Sequence, residues 1–269
     1  MGDKMTDVSQ SPEKREEGAF SDLYMFLLSR HVHRYPEDGT HKSWVLPRIL
    51  VLFASGDIDR VIKLITADLE HPIGSGMIVT VLVEESIREE VIKKIRANFK
   101  PMNERIQNHP NYLKSIKLID RMNCSTIHIE EFEETDIKKR YGRRMKGSPI
   151  IVLDFPQYYF GDKPSAVITL STFRTLNEVV KLYKREGLNF DSVSVWSSKL
   201  AQCFDLLTRL PQAEKWFFNC VNENVKMPKT QVTTSVIVEG GFHYEIHVIR
   251  DKTKTVVFPI TEDVGYTLL

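Results

Sequence analysis

Short apolar runs alternate with amphipathic stretches along most of this chain, in the order that α/β proteins show. RILVLFA (48–54) and MIVTVLV (77–83) are continuous apolar runs, which predicts strands covered on both faces. Between them, Ile58, Val61, Ile62, Ile65 and Leu69 recur at helical spacing and predict one buried helix face. Ser55 is the expected cap of that helix, and Asp57 and Asp59 fall where the amino-terminal dipole favours acid. EESIREEVIKKIRANF (84–99) predicts a second helix with Ile87, Val91, Ile92 and Ile95 inward. The stretch 100–147 is less regular.

The second half repeats the alternation. SPIIVLDF (148–155) and SAVITLS (165–171) predict strands, and Thr175 with Glu178 has the spacing of a capping box. Leu176, Val179, Val180 and Tyr183 then form an inner helix face, which Gly187 ends. FDSVSVW (190–196) predicts a strand, and Ser197 or Ser198 caps a helix burying Leu200, Cys203, Phe204 and Leu207. KWFFN (215–219) is another strand. VTTSVIVEGGFHYEIHVI brackets Gly240-Gly241, a two-residue hairpin turn, and KTVVFPI (254–260) follows as a further strand. The expected fold class is α/β, a sheet with flanking helices plus a C-terminal antiparallel β-meander. Residues 1–18 are expected as a flexible tail and 19–45 as an N-terminal helical extension. Residues 46–230 form the α/β domain, and 231–269 a meander or oligomerisation arm packed on it.

Composition narrows the function by exclusion. Of 269 residues 42% are hydrophobic and 27% charged, the balance of a soluble globular protein. The formal net charge of +1 supplies no global attraction to nucleic acid or to an acidic membrane, and neither partner is expected. No apolar run approaches the roughly 20 residues that span a bilayer. MGDKMT formally satisfies a myristoylation pattern through Gly2 and Thr6, but Asp3 and the lack of a second anchor argue against it. Cys124, Cys203 and Cys220 are scattered, suiting core thiols in a reducing compartment, and a cytoplasmic location is expected.

Three polar groupings invite chemistry. His31 and His33 lie two apart on a predicted helix (20–33) and do not share a face. EEFEETD (130–136) precedes KKRYGRRMK (138–146). The basic cluster could meet phosphate or an acidic surface, and neutralisation by the acidic run is the reading preferred. His243, Glu245 and His247 share one strand face. A solvated face opposite Phe242, Tyr244, Ile246 and Val248 accounts for that alternation without a metal.

One part of the chain is specific enough to compare with a family. QYYFGDKPSAVITLSTFRTLNEVVKLYKREG (157–187), SVSVWSSKLAQCFDLLTRLP (192–211) and KWFFNC (215–220) resemble, in that order, a catalytic-domain segment of the aldehyde dehydrogenase superfamily. That segment has an E-E-I-F-G-P loop, a strand, a capped helix, a strand ending in V-W/F-[ST], a helix and a W-V-N strand. Phe160-Gly161, Val195-Trp196-Ser197 and Trp216 with Asn219-Cys220 occupy the matching places. Residues 55–95 are similar to the helix, nucleophile turn, strand and helix upstream. TKTVVFPI resembles the K-T-V-T-V strand used there in oligomerisation. The whole pattern is most similar to an insect family catalogued as a domain of unknown function and related to this superfamily.

The resemblance implies where catalytic groups would sit, and each place holds something else. The nucleophilic cysteine falls on Ser75 in HPIGSGM, and no cysteine occurs between Met1 and Met122. An unassisted serine hydroxyl is a poor substitute for a thiolate near neutral pH. The general-base glutamate belongs where HKSWVLP (41–47) stands, which contains no acid. The glutamate that holds the nicotinamide ribose falls on Tyr158, beside Gln157, and the oxyanion-hole asparagine has no recognisable counterpart. Only 45 residues precede the first recognisable stretch, too few for a Rossmann unit, and G-x-G-x-x-G is absent.

The resulting expectation is a catalytically inactive aldehyde-dehydrogenase-like protein, a structural or protein-binding module with no catalytic, cofactor-binding or metal residues and no cofactor. It would engage protein partners, or itself, through strands 243–260, with a cytoskeletal or axonemal assembly as one setting. Two alternatives stay open. One is a residual hydrolase or esterase using Ser75, although GSGM lacks the G-x-S-x-G elbow. The other is a small-molecule sensor that keeps the aldehyde tunnel without its chemistry.

Overall fold

A computed structural model describes residues 46–70, 72–73, 76–131, 143–161, 164–210, 212–221, 235–239 and 241–260. The tail at 1–18, the extension at 19–45, His31, His33 and the Gly2 pattern all lie outside these residues. The strands in chain order begin with Arg48–Leu52 (β1), Ile78–Glu84 (β2) and Thr126–Ile127 (β3). Glu130–Glu131 (β4) and Arg143–Arg144 (β5) come next, then Ile151–Leu153 (β6) and Ile168–Phe173 (β7). Ser192–Trp196 (β8), Lys215–Phe218 (β9), Ser235–Glu239 (β10), Phe242–Ile249 (β11) and Lys252–Pro259 (β12) complete them. The helices are Ile58–Glu70 (α1), Arg88–Asn98 (α2), Glu104–Gln107 (α3), Pro110–Met122 (α4), Leu176–Glu186 (α5) and Leu200–Arg209 (α6).

Ten of the strands form one sheet, ordered β10-β11-β12-β9-β8-β1-β2-β7-β6-β3. From β12 to β6 all neighbours are parallel, and the antiparallel pairs lie at its two ends. The run RILVL of β1 is buried throughout because helices cover both faces. On one face α1 and α2 set Val61, Ile62, Ile65, Leu69, Val91, Ile92 and Ile95 against Leu50, Leu52, Val81 and Val83. On the other, Val179 and Tyr183 of α5 and Cys203, Leu206 and Leu207 of α6 pack against Ile49, Val51, Val193, Val195 and Trp216. Beside them α4 packs Tyr112 and Ile119 against Ile150, Val152 and Val167.

The expected α/β class holds, with several local corrections. The stretch read as irregular contains α4, started by Pro110 in its first turn, with His109 Nδ1 accepting from the Asn111 N–H, and stopped by Asn123 in the left-handed region. Ser55 does not cap α1. Asp57 Oδ1 takes that role, accepting from the Arg60 N–H at 2.9 Å, while Ser55 Oγ lies 2.9 Å from Ser197 Oγ. Thr175 does cap α5, but the Glu178 carboxylate reaches back to the Arg174 N–H, one residue before the expected partner. β6 is short because Asp154 turns to φ +54°, and β7 starts late because Ala166 stands at φ +62°.

The meander continues the sheet instead of packing on it. β12 pairs parallel with β9, Val256 opposite Trp216, and antiparallel with β11. The strand expected to offer an association edge therefore has both edges occupied. Among the described residues β10 is the outer strand. The face carrying His243, Glu245 and His247 is half-buried, where a solvated one was expected. Phe258 stacks on His243 at 4.5 Å and Phe204 of α6 meets the His247 ring at 5.7 Å, which covers that face. The Glu130 and Arg144 backbones stand opposite each other in a separate β4–β5 ribbon, and residues 132–142 between the two strands lie outside the described residues.

Candidate functional site

Parallel strands bring all their entering loops to one edge of a sheet and all their leaving loops to the other. Open α/β sheets ordinarily bind ligands at the carboxyl edge, where neighbouring strands send their helices to opposite faces. Two places among the described residues meet that condition: between β2, followed by α2, and β7, followed by α5, and between β1, followed by α1 on one face, and β8, followed by α6 on the other. The place between β1 and β8 is stitched shut. The Phe53 N–H donates to the Trp196 carbonyl at 3.0 Å and the Ser198 N–H to the Ser55 carbonyl at 3.1 Å. Asn219 clamps Ser197 from below, its Oδ1 accepting from the Ser197 N–H and its Nδ2 donating to the Ser197 carbonyl. Gly56 lies so close that a Cβ would stand 2.6 Å from the Trp196 oxygen, a backbone atom that cannot swing aside. Gly56→Ala is expected to cost about 2 kcal/mol of stability, read by urea unfolding, because the two strand ends must part.

The amino edge holds those sequence-predicted positions that are described. The loops ending at Pro47, Met77 and Val167 enter β1, β2 and β7, three neighbouring parallel strands. Pro47, Met77 and the Gln157–Phe160 turn, tied to the end of α5, therefore lie there, and Ser75 and residues 41–45 lie outside the described residues. Tyr158 and Gln157 belong to a 3-10 turn, Gln157–Phe160, ended by Gly161 at φ +92°, a conformation that suits glycine. Gln157 is 1% exposed. Its Nε2 donates to Ser165 Oγ at 2.9 Å, and its backbone N–H donates to Glu186 Oε2 at 2.7 Å. The Tyr158 ring packs on Tyr159 at 4.1 Å, and Tyr159 packs on Phe155 at 4.8 Å.

Glu186 is the residue that sequence reasoning missed. It is the last residue of α5 and fully buried. The signal was present: the inner face at Leu176, Val179 and Tyr183 recurs three residues later on an acid. Burial pushes its carboxyl from the usual 4.5 up to about 7, against the opposing pull of the Gln157 N–H, the Arg185 charge and the Thr80 hydroxyl. Beside the end of α5, at the amino ends of β8 and β9, lies a cleft of 540 Å³ lined by Leu46, Tyr183, Phe190, Asp191, Glu214 and Lys215, among others. Asp191 and Lys215 neutralise each other across 2.7 Å.

The turn does not fit a nicotinamide ribose. Gln157 offers no carboxylate and points inward, Tyr158 is stacked on its neighbour, and the nearby acid Glu186 is covered. No cofactor step is assigned. Burial pushes the Cys203 and Cys220 thiols up to about 12 and raises Cys124 as well, the opposite of activation. Among the described residues no group of three or more His, Cys, Asp or Glu could hold a metal ion. Glu245 instead sits between two imidazoles, 3.1 Å from His243 Nε2 and 2.6 Å from His247 Nε2. None of the described helices is long and apolar enough to cross a membrane.

No curated protein sequence matches the chain. Among solved structures it is similar to a putative aldehyde dehydrogenase from Burkholderia cenocepacia, with 16% identity and a TM-score of 0.48 over 64% of this chain and 39% of that one. An NAD-dependent benzaldehyde dehydrogenase from Corynebacterium glutamicum gives 14% identity and a TM-score of 0.46 over 64% and 39%. The Δ-pyrroline-5-carboxylate dehydrogenase from Mycobacterium tuberculosis, bound with NAD and cobalamin, gives 10% and 0.48 over 75% and 40%. The chain thus spans about two fifths of the length of these enzymes. A sequence model of one family matches residues 43–264, most of the chain, and the chain belongs to that family, described as protein of unknown function (DUF1487).

Proposed function

We propose that this chain is a catalytically inactive, aldehyde-dehydrogenase-like module that works by binding protein. The observation that carries the reading is the Gln157–Phe160 turn. Its polar side chain is buried against Ser165 and its backbone is tied to Glu186, so the turn is built into the core instead of facing a ligand. The sealed carboxyl edge between β1 and β8 points the same way.

The outward-facing feature that suits a partner is β10. Val236 and Val238 are 60% and 62% exposed on an outer strand, a surface to which another strand can add. The association surface is accordingly placed at 235–239, with β11 and β12 behind it, and not at the enclosed strand 254–260.

The test is turnover. Purified chain incubated with a panel of aldehydes and NAD+ or NADP+ is expected to give no product above the blank, and Ser75→Ala no change. Turnover that Ser75→Ala abolishes would overturn the reading. In sedimentation experiments the chain is expected to self-associate or to bind its partner through β10, and Val236→Lys with Val238→Lys to weaken that association without changing the unfolding midpoint.

A further inference from the structure

A buried polar cluster interrupts the apolar core on the α5 side of the sheet. Thr80 of β2 and Thr169 of β7 lie opposite each other with their hydroxyls 3.3 Å apart. Gln157, Ser165 and Glu186 join them, and all five side chains are buried. The donors in this cluster are too few. Glu186 Oε2 accepts from the Gln157 N–H and the Thr80 hydroxyl acts on the carboxyl, yet Glu186 Oε1 and Gln157 Oε1 have no partner. An ionised Glu186 would therefore add a bare acceptor, its Oε1, to the Gln157 Oε1 already without a donor in this dry place. It would also put a negative charge at the carboxyl end of α5, where the helix dipole already opposes it.

A single proton acts on each of these. It neutralises the charge, relieves the conflict with the helix end and turns one bare acceptor into a donor. We propose that Glu186 keeps its acid proton in the folded chain in weakly acidic solution, that this proton latches the Gln157–Phe160 turn to the sheet, and that the latch weakens as the solution approaches neutrality. The elements packed against Glu186 face it with Thr80 from β2 and Gln157 from the turn, neither of which titrates, and Arg185 on its own helix is the charged group that acts on it. Tyr183, one turn earlier, is pushed up to about 12 by burial and stays neutral throughout.

The direction follows from linkage. The carboxyl titrates at about 7 when the turn is closed and near its ordinary 4.5 when the turn opens to water. Between those values the open state has lost a proton that the closed state keeps, so opening grows with pH and then levels off. Hydrogen exchange at the Gln157–Gly161 amides, corrected for the intrinsic pH dependence of exchange, reads this opening.

From about pH 5 to about pH 7 the opening constant is expected to rise about tenfold per pH unit in the wild-type chain and to flatten above. Glu186→Gln, which supplies a permanent donor, is expected to hold it constant. An opening constant in Glu186→Gln that still follows the wild-type pH profile would overturn the proposal. Should that variant fail to fold, the infrared spectrum of the wild-type chain decides instead. A protonated carboxyl carbonyl band that titrates away near neutral pH supports the latch, and its absence in weakly acidic solution overturns it. Protection that depends on added sodium or potassium at fixed pH would put a cation in the proton's place and overturn it as well.

Discussion

Replacing Trp216 with alanine is expected to lower the free energy of unfolding by about 4 kcal/mol. The indole is fully buried at the place where the meander joins the parallel sheet. Its neighbours in the core come from β8, α6 and β12, so no single element can move in to fill the space. Its Nε1–H donates to the Ala213 carbonyl at 3.1 Å, and its face lies 5.3 Å from the Lys254 ammonium. Alanine removes the packed ring, the donor and the aromatic face under a buried charge together. Trp216→Phe keeps most of the apolar contact and loses the N–H, so about half that loss is expected. Urea unfolding followed by circular dichroism measures both. A loss below about 1 kcal/mol for the alanine variant would mean that the junction repacks freely, contrary to the close-packed core described above.

The parallel strands were legible because both faces are covered, which turns each into an apolar run that no other structure explains. RILVL, SVSVW and KWFF are each buried along their length or nearly so. What escaped was polar and long-range. On α4 the buried face carries Tyr112 and Ser115, whose hydroxyls donate to the carbonyls of Ser148 and Ser165, 36 and 50 residues away. Local periodicity counts such residues as exposed. Glu186 escaped in the same way, since its partner Gln157 is 29 residues upstream. Ser55 was read as a cap because its neighbours in sequence allow it. Its actual contact, Ser197, follows a strand and lies 142 residues on. For the candidate site, chain order brings the segments ending at Met77 and Val167 to one edge, because each enters a parallel strand. The inward turn of Gln157 depends on Ser165 and Glu186, which a reading of the loop by itself does not reveal. The same limit affected β12: its resemblance to the K-T-V-T-V strand suggested an association edge, and nothing in the run shows that β9 already occupies one side.

Lys254→Glu is expected to destabilise the chain by about 3–5 kcal/mol, a large share of the stability of a domain this size. Lys254 is fully buried in β12, and its Nζ donates to the Leu210 and Ala213 carbonyls, each at 2.7 Å. Leu210 ends α6, so the ammonium sits where a helix terminus is negative and its last carbonyls lack donors. A carboxylate there would face carbonyl oxygens with no donor to share. The wild-type lysine carries a cost of its own. Burial, helped by nearby Lys252 and opposed by Glu214, pulls it from the usual 10.5 down to about 8. In the window between those values the unfolded chain binds the proton that the folded chain has released, so stability rises with pH from about 8 towards 10.5 and the cost is fully present below. Lys254→Met keeps the length without the charge. It should lose that rise while leaving two carbonyls without a donor, a net change of about 1 kcal/mol in either direction. Unfolding midpoints across that pH range separate the cases. A Lys254→Glu chain that unfolds at the wild-type midpoint, or a wild-type chain with no rise above pH 8 that Lys254→Met lacks, would show that the ammonium does not cap α6.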